Sequence, residues 1–315
     1  MGYQYAGYHL KALNNMENIM FRSITLAGLM ALVGTLPAAA DTIRHAQGET
    51  EITSVPETVL VYDLASLDNL DALGVPVAGA PGGLAMPEHL SGYAAAIGTV
   101  FEPDMEAVAA MAPDLIVVGG RSGPKHPDLS RIAPTIDLTL PRQDYIAGLR
   151  DNLTTLGRIF GREDAAAGQI AGLDADIAAL NAQAADAGRV LVVLTTGGRM
   201  STHGPGSRFG MMFDELGFTP AVTGTDTGTH GQAISHEFIM ETNPDWLFVV
   251  DRDAAIGRDG QSAQQFLDNP LVRTTTAWER GQVVYLDPMA WYLVGGGVQV
   301  LRSGIAQLGT ALAGD

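Results

Sequence analysis

Residues 163–187 read EDAAAGQIAGLDADIAALNAQAADA, and this stretch decides the fold. Ile170, Leu173, Ile177, Leu180 and Ala184 recur at alternating steps of three and four, which draws one apolar stripe along a helix of period 3.6. Glu163 and Asp164 fall in the first turn, where acids favour the helix dipole, and Gly188 supplies a stop. At 1.5 Å per residue the rod is roughly 35–40 Å long, the width of a small domain. A short coiled coil is the competing reading, but two heptads fall short of the roughly three to four that such a pattern needs. Each flank carries its own alternation of strands and helices. The stretch is therefore read as a strut between two α/β lobes.

On the amino-terminal side, strands are predicted at Thr58–Tyr62, Val75–Ala78, Ile97–Val100, Leu115–Val118 and Ala133–Leu138. Helical patterns at Ala65–Leu73, Asp104–Met111 and Gln143–Phe160 separate them, and residues 41–53 read as a loose polar lead-in. Beyond the strut, strands are predicted at Arg189–Leu194, Trp246–Val250 and Val283–Leu286. Helices are predicted at Ser207–Leu216, Ser235–Glu241, Ala263–Leu267 and about Val294–Leu312. Such alternation gives mostly parallel sheets covered by helices. The expected division is a leader over 1–40, a first α/β lobe over 41–162, the interdomain helix over 163–187 and a second α/β lobe over 188–315.

Arg22, the apolar run Ile24–Leu36 and the sequence Pro37-Ala38-Ala39-Ala40 have the form of a secretory signal peptide, too short to span a bilayer. Translation starting at Met16 or Met20 would fit that form better than Met1. Cysteine is absent, so the exported chain would carry neither disulfide nor lipid anchor and is expected free in the periplasm. Lys11, Glu17 and Arg22 leave with the leader, which takes the net charge from −17 to −18. That balance argues against nucleic acid and anionic membranes as partners. It also makes a local gathering of arginines more informative.

Four residues recur at a constant spacing of 131: Glu106, Pro113, Asp114 and Arg121 match Glu237, Pro244, Asp245 and Arg252. Each copy reads helix, Pro-Asp turn, buried strand, arginine. Both arginines thus fall just past the carboxyl end of a parallel strand, the edge at which open α/β sheets bind ligands. Arg208 lies in THGPGSRFG, residues 202–210, where glycines admit a close ligand and a helix start favours an anion. Guanidinium groups stay charged and donate in a flat fork suited to oxygen-rich anions. His230 sits in the flexible GTHG loop and Tyr292 in Trp291-Tyr292-Leu293. Zinc-site spacing, a phosphate-binding loop of the G-x-x-x-x-G-K-[ST] kind and a G-x-S-x-G elbow are all missing, which leaves a hydrolase or zinc enzyme little support.

PDLIVVGGR (113–121), HGPGSRFG (203–210), GTHGQAISHEFIMETNPDWLFVVDR (228–252), and DNPLV (268–272) with VVYLDPMAWYL (283–293) resemble the ferric-siderophore binding proteins of bacterial ABC importers, and within them the catecholate, enterobactin-type branch. The resemblance spans about residues 55–312. After Arg121 the chain departs from it with the proline-rich SGPKHPDL. It implies the class III periplasmic binding fold, two α/β lobes with mostly parallel sheets joined by one long interdomain helix. It implies a binder and not an enzyme, monomeric, with no resident cofactor. Its cargo would be a ferric catecholate siderophore and its partner an inner-membrane permease. Arg121, Arg208 and Arg252 would meet the anionic cargo. His230 and Tyr292 would complete the iron shell when the siderophore supplies only four donors, and Glu106 and Glu237 would dock the permease. Rival readings are haem or a corrinoid in the same cleft, or a cleft enzyme holding a phosphorylated substrate at the Arg208 loop.

Overall fold

A computed structural model describes residues 41–84, 86–93 and 97–314, so the leader and its cleavage site lie outside the described residues. The predicted rod is helix α4, Glu163–Ala184, preceded by α3, Tyr145–Phe160. Leu173, Ile177, Leu180 and Ala184 are buried along one side of α4, while Ile170 packs on the edge of the same core. Full burial of each large side chain is worth about 1.5–3 kcal/mol, which exceeds what helix propensity alone supplies. Arg150 on α3 donates to Asp174 (2.9 and 2.6 Å). On the other side Arg302 of the carboxyl-terminal helix α6, Val298–Ala313, donates to Asp176 (2.6 Å). These partly exposed pairs add at most about 1 kcal/mol each and fix the helix faces more than they stabilise them.

Ahead of the rod, β3 (Val59–Val61), β4 (Leu115–Val118) and β5 (Thr135–Asp137) form a parallel sheet in the order β3-β4-β5. Helices α1 (Leu64–Ala72) and α2 (Met105–Met111) belong to this half, N-capped by Asp63 and Asp104. After the rod, β6 (Arg189–Thr196), β7 (Arg199–Thr202), β8 (Thr219–Pro220), β9 (Gln232–Ile234), β10 (Trp246–Asp251) and β11 (Val283–Leu286) make a six-stranded sheet. Its order is β11-β10-β6-β7-β9, with β8 on β6; β7 runs antiparallel to both of its neighbours, β6 and β9, and the remaining pairings are parallel. Helix α5 (His236–Thr242) leads into β10. One apolar core runs from Val61 and Val117 through Leu173 and Leu180 to Val192 and Phe248, so both sheets and the rod share it.

The spacing of 131 residues holds in three dimensions. Asp104 caps α2 and Ser235 caps α5. Ala112 (φ 45°) and Asn243 (φ 44°) end those helices in the left-handed region, an uncommon choice outside glycine. The pairs Val59–Leu115 and Val190–Trp246 are the same register step in the two sheets. The Asp114 carboxylate accepts from the Thr58 amide (2.8 Å), as that of Asp245 does from the Arg189 amide (2.8 Å).

Several local expectations give way. Residues 41–53 are not a loose lead-in: β1 (Asp41–His45) and β2 (Gly48–Ile52) form a hairpin whose Ile43 and Ile52 are buried. It docks on β5 through Ala46 N to Asp137 O (3.0 Å) and Thr50 Oγ1 to Thr135 O (2.8 Å). Val75–Ala78 forms no strand, since Pro76 has no amide to donate; only a bridge between Leu60 and Gly79 remains. Ile97–Val100 is likewise reduced to a bridge from Gly98 to Pro103. The helix expected over Ser207–Leu216 contracts to Met211–Asp214. The last helix starts at Val298, after a π-helical turn over Met289–Val294.

Candidate functional site

The π-helical turn puts Tyr292 at the centre of the site. Arg121 follows the end of β4, Arg208 follows β7, and Arg252 is the first residue past β10, where Asp251 caps a short helical turn by accepting from the Ala254 amide (3.1 Å). All three turn toward Tyr292. Arg121 donates to the carbonyls of Tyr292 (2.8 Å) and Leu293 (3.0 Å), and Arg208 donates to the same Tyr292 carbonyl (2.8 Å). Arg252 Nε donates to the Tyr292 hydroxyl (2.8 Å), and its other arm to Thr196 Oγ1 (3.2 Å). The guanidinium carbons lie 4.0 Å (Arg208), 5.5 Å (Arg121) and 5.8 Å (Arg252) from the centre of the Tyr292 ring.

This electrostatic setting has a clear sign. Burial alone would raise the Tyr292 pKa, but Arg208 and Arg252 outweigh it, so the phenol lies below its ordinary value. Burial lowers the Arg208 pKa, an effect Tyr292 partly offsets and the nearby Arg121 deepens. Among the described residues neither Arg121 nor Arg208 has a carboxylate within ion-pair distance; Arg252 has Asp253 at 3.6 Å. Asp63, half-buried at the N-cap of α1, is pushed up by desolvation despite its bonds from Ser66. Burial likewise raises the Tyr145 phenol.

A cavity of about 270 Å³ opens between these elements, walled by Arg121, Arg208, Tyr292, Trp291, Tyr145 and Arg142. Arg252 is not part of its wall and meets Tyr292 at the hydroxyl end of the ring. The volume lies just below the roughly 300–1,000 Å³ usual for ligand pockets, and the side chains of Arg121 and Arg208 in its wall are turned onto Tyr292. His230 is not brought to Tyr292: it is exposed and makes no side-chain hydrogen bond among the described residues. Glu106 and Glu237 are exposed in the first turns of α2 and α5, at equivalent places in the two halves.

Three participants escape the sequence reading. Arg142, just ahead of α3, reaches across to the 223–231 loop. Tyr145 lies at the cavity wall within reach of Asp63, Arg208 and Arg121. His203 is buried edge-on to Phe209 (4.9 Å between centroids). Desolvation and the Arg208 charge lower its pKa to about 4. The only signal was position: His203 sits five residues before Arg208 in a glycine-rich turn.

A centre that concentrates fixed positive charge, without a nucleophile–base pair beside it among the described residues, suits holding an anion rather than transforming one. The surrounding architecture, two α/β layers sharing one long helix, is that of a class III periplasmic binding protein. The chain belongs to the periplasmic binding protein family (Peripla_BP_2), whose model matches residues 59–290. It is 37% identical over 276 residues to the petrobactin-binding protein YclQ of Bacillus subtilis, covering 85% of this chain and 86% of that one. The YclQ crystal structure superposes with a TM-score of 0.83 at 36% identity, covering 87% of this chain and 98% of YclQ. The ferric-anguibactin-binding protein FatB of Vibrio anguillarum is 32% identical over 303 residues, 89% of this chain and 93% of FatB. The periplasmic catecholate-siderophore binding protein VctP of Vibrio cholerae superposes with a TM-score of 0.80 at 31% identity, covering 88% of this chain and all of VctP. The family is one of substrate-binding proteins, and the reading as a binder rather than an enzyme stands with it.

Proposed function

We propose that this protein captures a ferric catecholate siderophore between a first lobe (41–162) and a second lobe (188–315) and delivers it to the inner-membrane permease of an ABC importer. The observation that carries this reading is the convergence of three guanidinium groups on Tyr292 in a chain of net charge −17. Their bonds to the Tyr292 and Leu293 carbonyls are neutral-acceptor bonds, which an incoming ferric catecholate, with its negative oxygens, would replace by stronger charge-assisted ones. The cargoes named for YclQ, FatB and VctP support the class. Tyr292 and His230 are the residues to complete the ferric shell when a siderophore leaves two positions open. A phenol held below its usual pKa suits that task, since phenolate is a hard donor for ferric iron. Glu106 and Glu237 would meet the permease. The site is periplasmic in this reading, and among the described residues no helix is long and apolar enough to cross a membrane.

Trp291 lies in the cavity wall next to Tyr292 and provides the assay. Fluorescence quenching with ferric catecholates, ferric hydroxamates and haem should show tight binding for the first class alone. Equal affinity for hydroxamates, or preference for haem, would overturn the reading.

A further inference from the structure

The loop bearing His230 is held at two sides. Beneath it lies the turn that leads to Arg208. A side chain at Gly204 would collide with Thr225 Oγ1 (2.6 Å from the Cβ position), and one at Gly231 with the Thr202 carbonyl (2.6 Å) and the His203 ring (2.7 Å). The two segments therefore touch backbone to side chain, a closeness only glycine permits. The contact beneath the loop is one of packing: Thr225 Oγ1 and His203 Nδ1 are buried there without a protein hydrogen-bond partner.

The second hold comes from the other side of the cavity. Arg142 donates one arm to the Thr227 carbonyl and the other to Thr229 Oγ1 (2.8 Å). Arg142 and Thr229 both line the cavity whose wall contains Arg121, Arg208 and Tyr292. Among the described residues Arg142 has no carboxylate within ion-pair distance, so its charge is spent on two neutral loop groups. Thr229 precedes His230 directly.

From this arrangement we propose that Arg142 is a positioning residue for the cargo site, a two-point latch that fixes the 223–231 loop, and with it His230, across the cavity mouth. The proposal rests on the siderophore-binding reading only for what the latch admits, not for its existence. Among the described residues the hydrogen bonds that tie 223–231 to the rest of the chain are these two from Arg142, so the loop depends on Arg142 to stay down. Cargo entering the cavity displaces the latch, and Arg142 is then a fourth cation at the rim, freed to face an anionic ligand. Only a planar, two-armed cation can grip both groups; lysine, a point donor, can hold one at a time.

The test compares wild type with Arg142→Ala, Arg142→Lys, Thr229→Val and the Arg142→Ala/Thr229→Val double variant. Amide hydrogen exchange is measured without cargo, and stopped-flow quenching with a ferric tris-catecholate. Exchange across 223–231 should rise on the order of tenfold in Arg142→Ala, less in Arg142→Lys and Thr229→Val, and no further in the double variant than in Arg142→Ala. Exchange in α3 and β6 should stay unchanged, which separates loss of the latch from general unfolding. The association rate should rise in Arg142→Ala because no latch needs to open. Unchanged exchange across 223–231, or additive effects in the double variant, would overturn the latch. Wild type that ignores every ferric siderophore would instead overturn the cargo reading while leaving the exchange result to stand.

Discussion

Replacing Arg208 by alanine removes three interactions with Tyr292 at once. They are the bond to its carbonyl (2.8 Å), the stacking of the guanidinium 4.0 Å from the ring centre, and the leading influence that lowers the phenol pKa. Without cargo these matter little to folding, since Arg208 also relieves its own desolvation when it goes. With cargo, the lost charged hydrogen bonds to a ferric catecholate should weaken binding by about 1.5–3 kcal/mol, roughly 10- to 150-fold in Kd. The same variant should move the Tyr292 titration upward. Both are measurable on one protein: Trp quenching for affinity, and ultraviolet phenolate titration with Tyr292→Phe as the subtraction. The effect should shrink with added salt less than that of a surface cation, because Arg208 is partly buried. An unchanged Kd together with an unchanged Tyr292 titration would refute the placement of Arg208 against both phenol and cargo.

Acid should act through His203. Its folded pKa of about 4 lies below the ordinary 6.5, so the unfolded chain takes up a proton first as pH falls. Stability is full above about 6.5 and declines toward about 4, by about 3 kcal/mol in total. Denaturant midpoints for His203→Gln should lose that part of the slope, and an identical slope would assign it elsewhere. Glu106→Ala combined with Glu237→Ala should leave cargo affinity intact while crippling uptake by cells; normal iron uptake would mean these acids are merely solvated. His230→Ala should weaken a two-catechol ferric complex far more than a three-catechol one, as read by quenching and by the visible charge-transfer band. Equal losses for both would keep His230 off the metal.

The helix α4 was legible because its stripe is long, and length is what separates a helical period from chance. The repeat was legible because turn residues, Pro-Asp before a buried strand, are set by local backbone needs that the sequence displays directly. The hairpin at 41–52 was not: its two buried side chains, Ile43 and Ile52, sit alone in polar surroundings, and their partner is β5, more than eighty residues away. The arginines' place at strand ends followed from topology. Their common target did not, since Tyr292 reaches them through a π-helical turn that no spacing announces. Arg142 carried no signal at all, because a single arginine before a helix gains meaning only from the loop it grips.

The shared core has a consequence for what such a protein can become. Leu173 and Leu180 of α4 pack into the same apolar mass as Val117 of one sheet and Val192 of the other, so the frame cannot be altered in one half without disturbing the other. The arginines at the cavity, by contrast, come from strand ends and loops outside that mass, whereas Trp291 belongs to it and Tyr145 and Tyr292 pack against it. The arginine rim and the frame are thus separable inheritances. A lineage can exchange one chelate for another by editing a few rim side chains, and the names carried by YclQ, FatB and VctP, three cargo descriptions on a related chain, are what that freedom would leave behind.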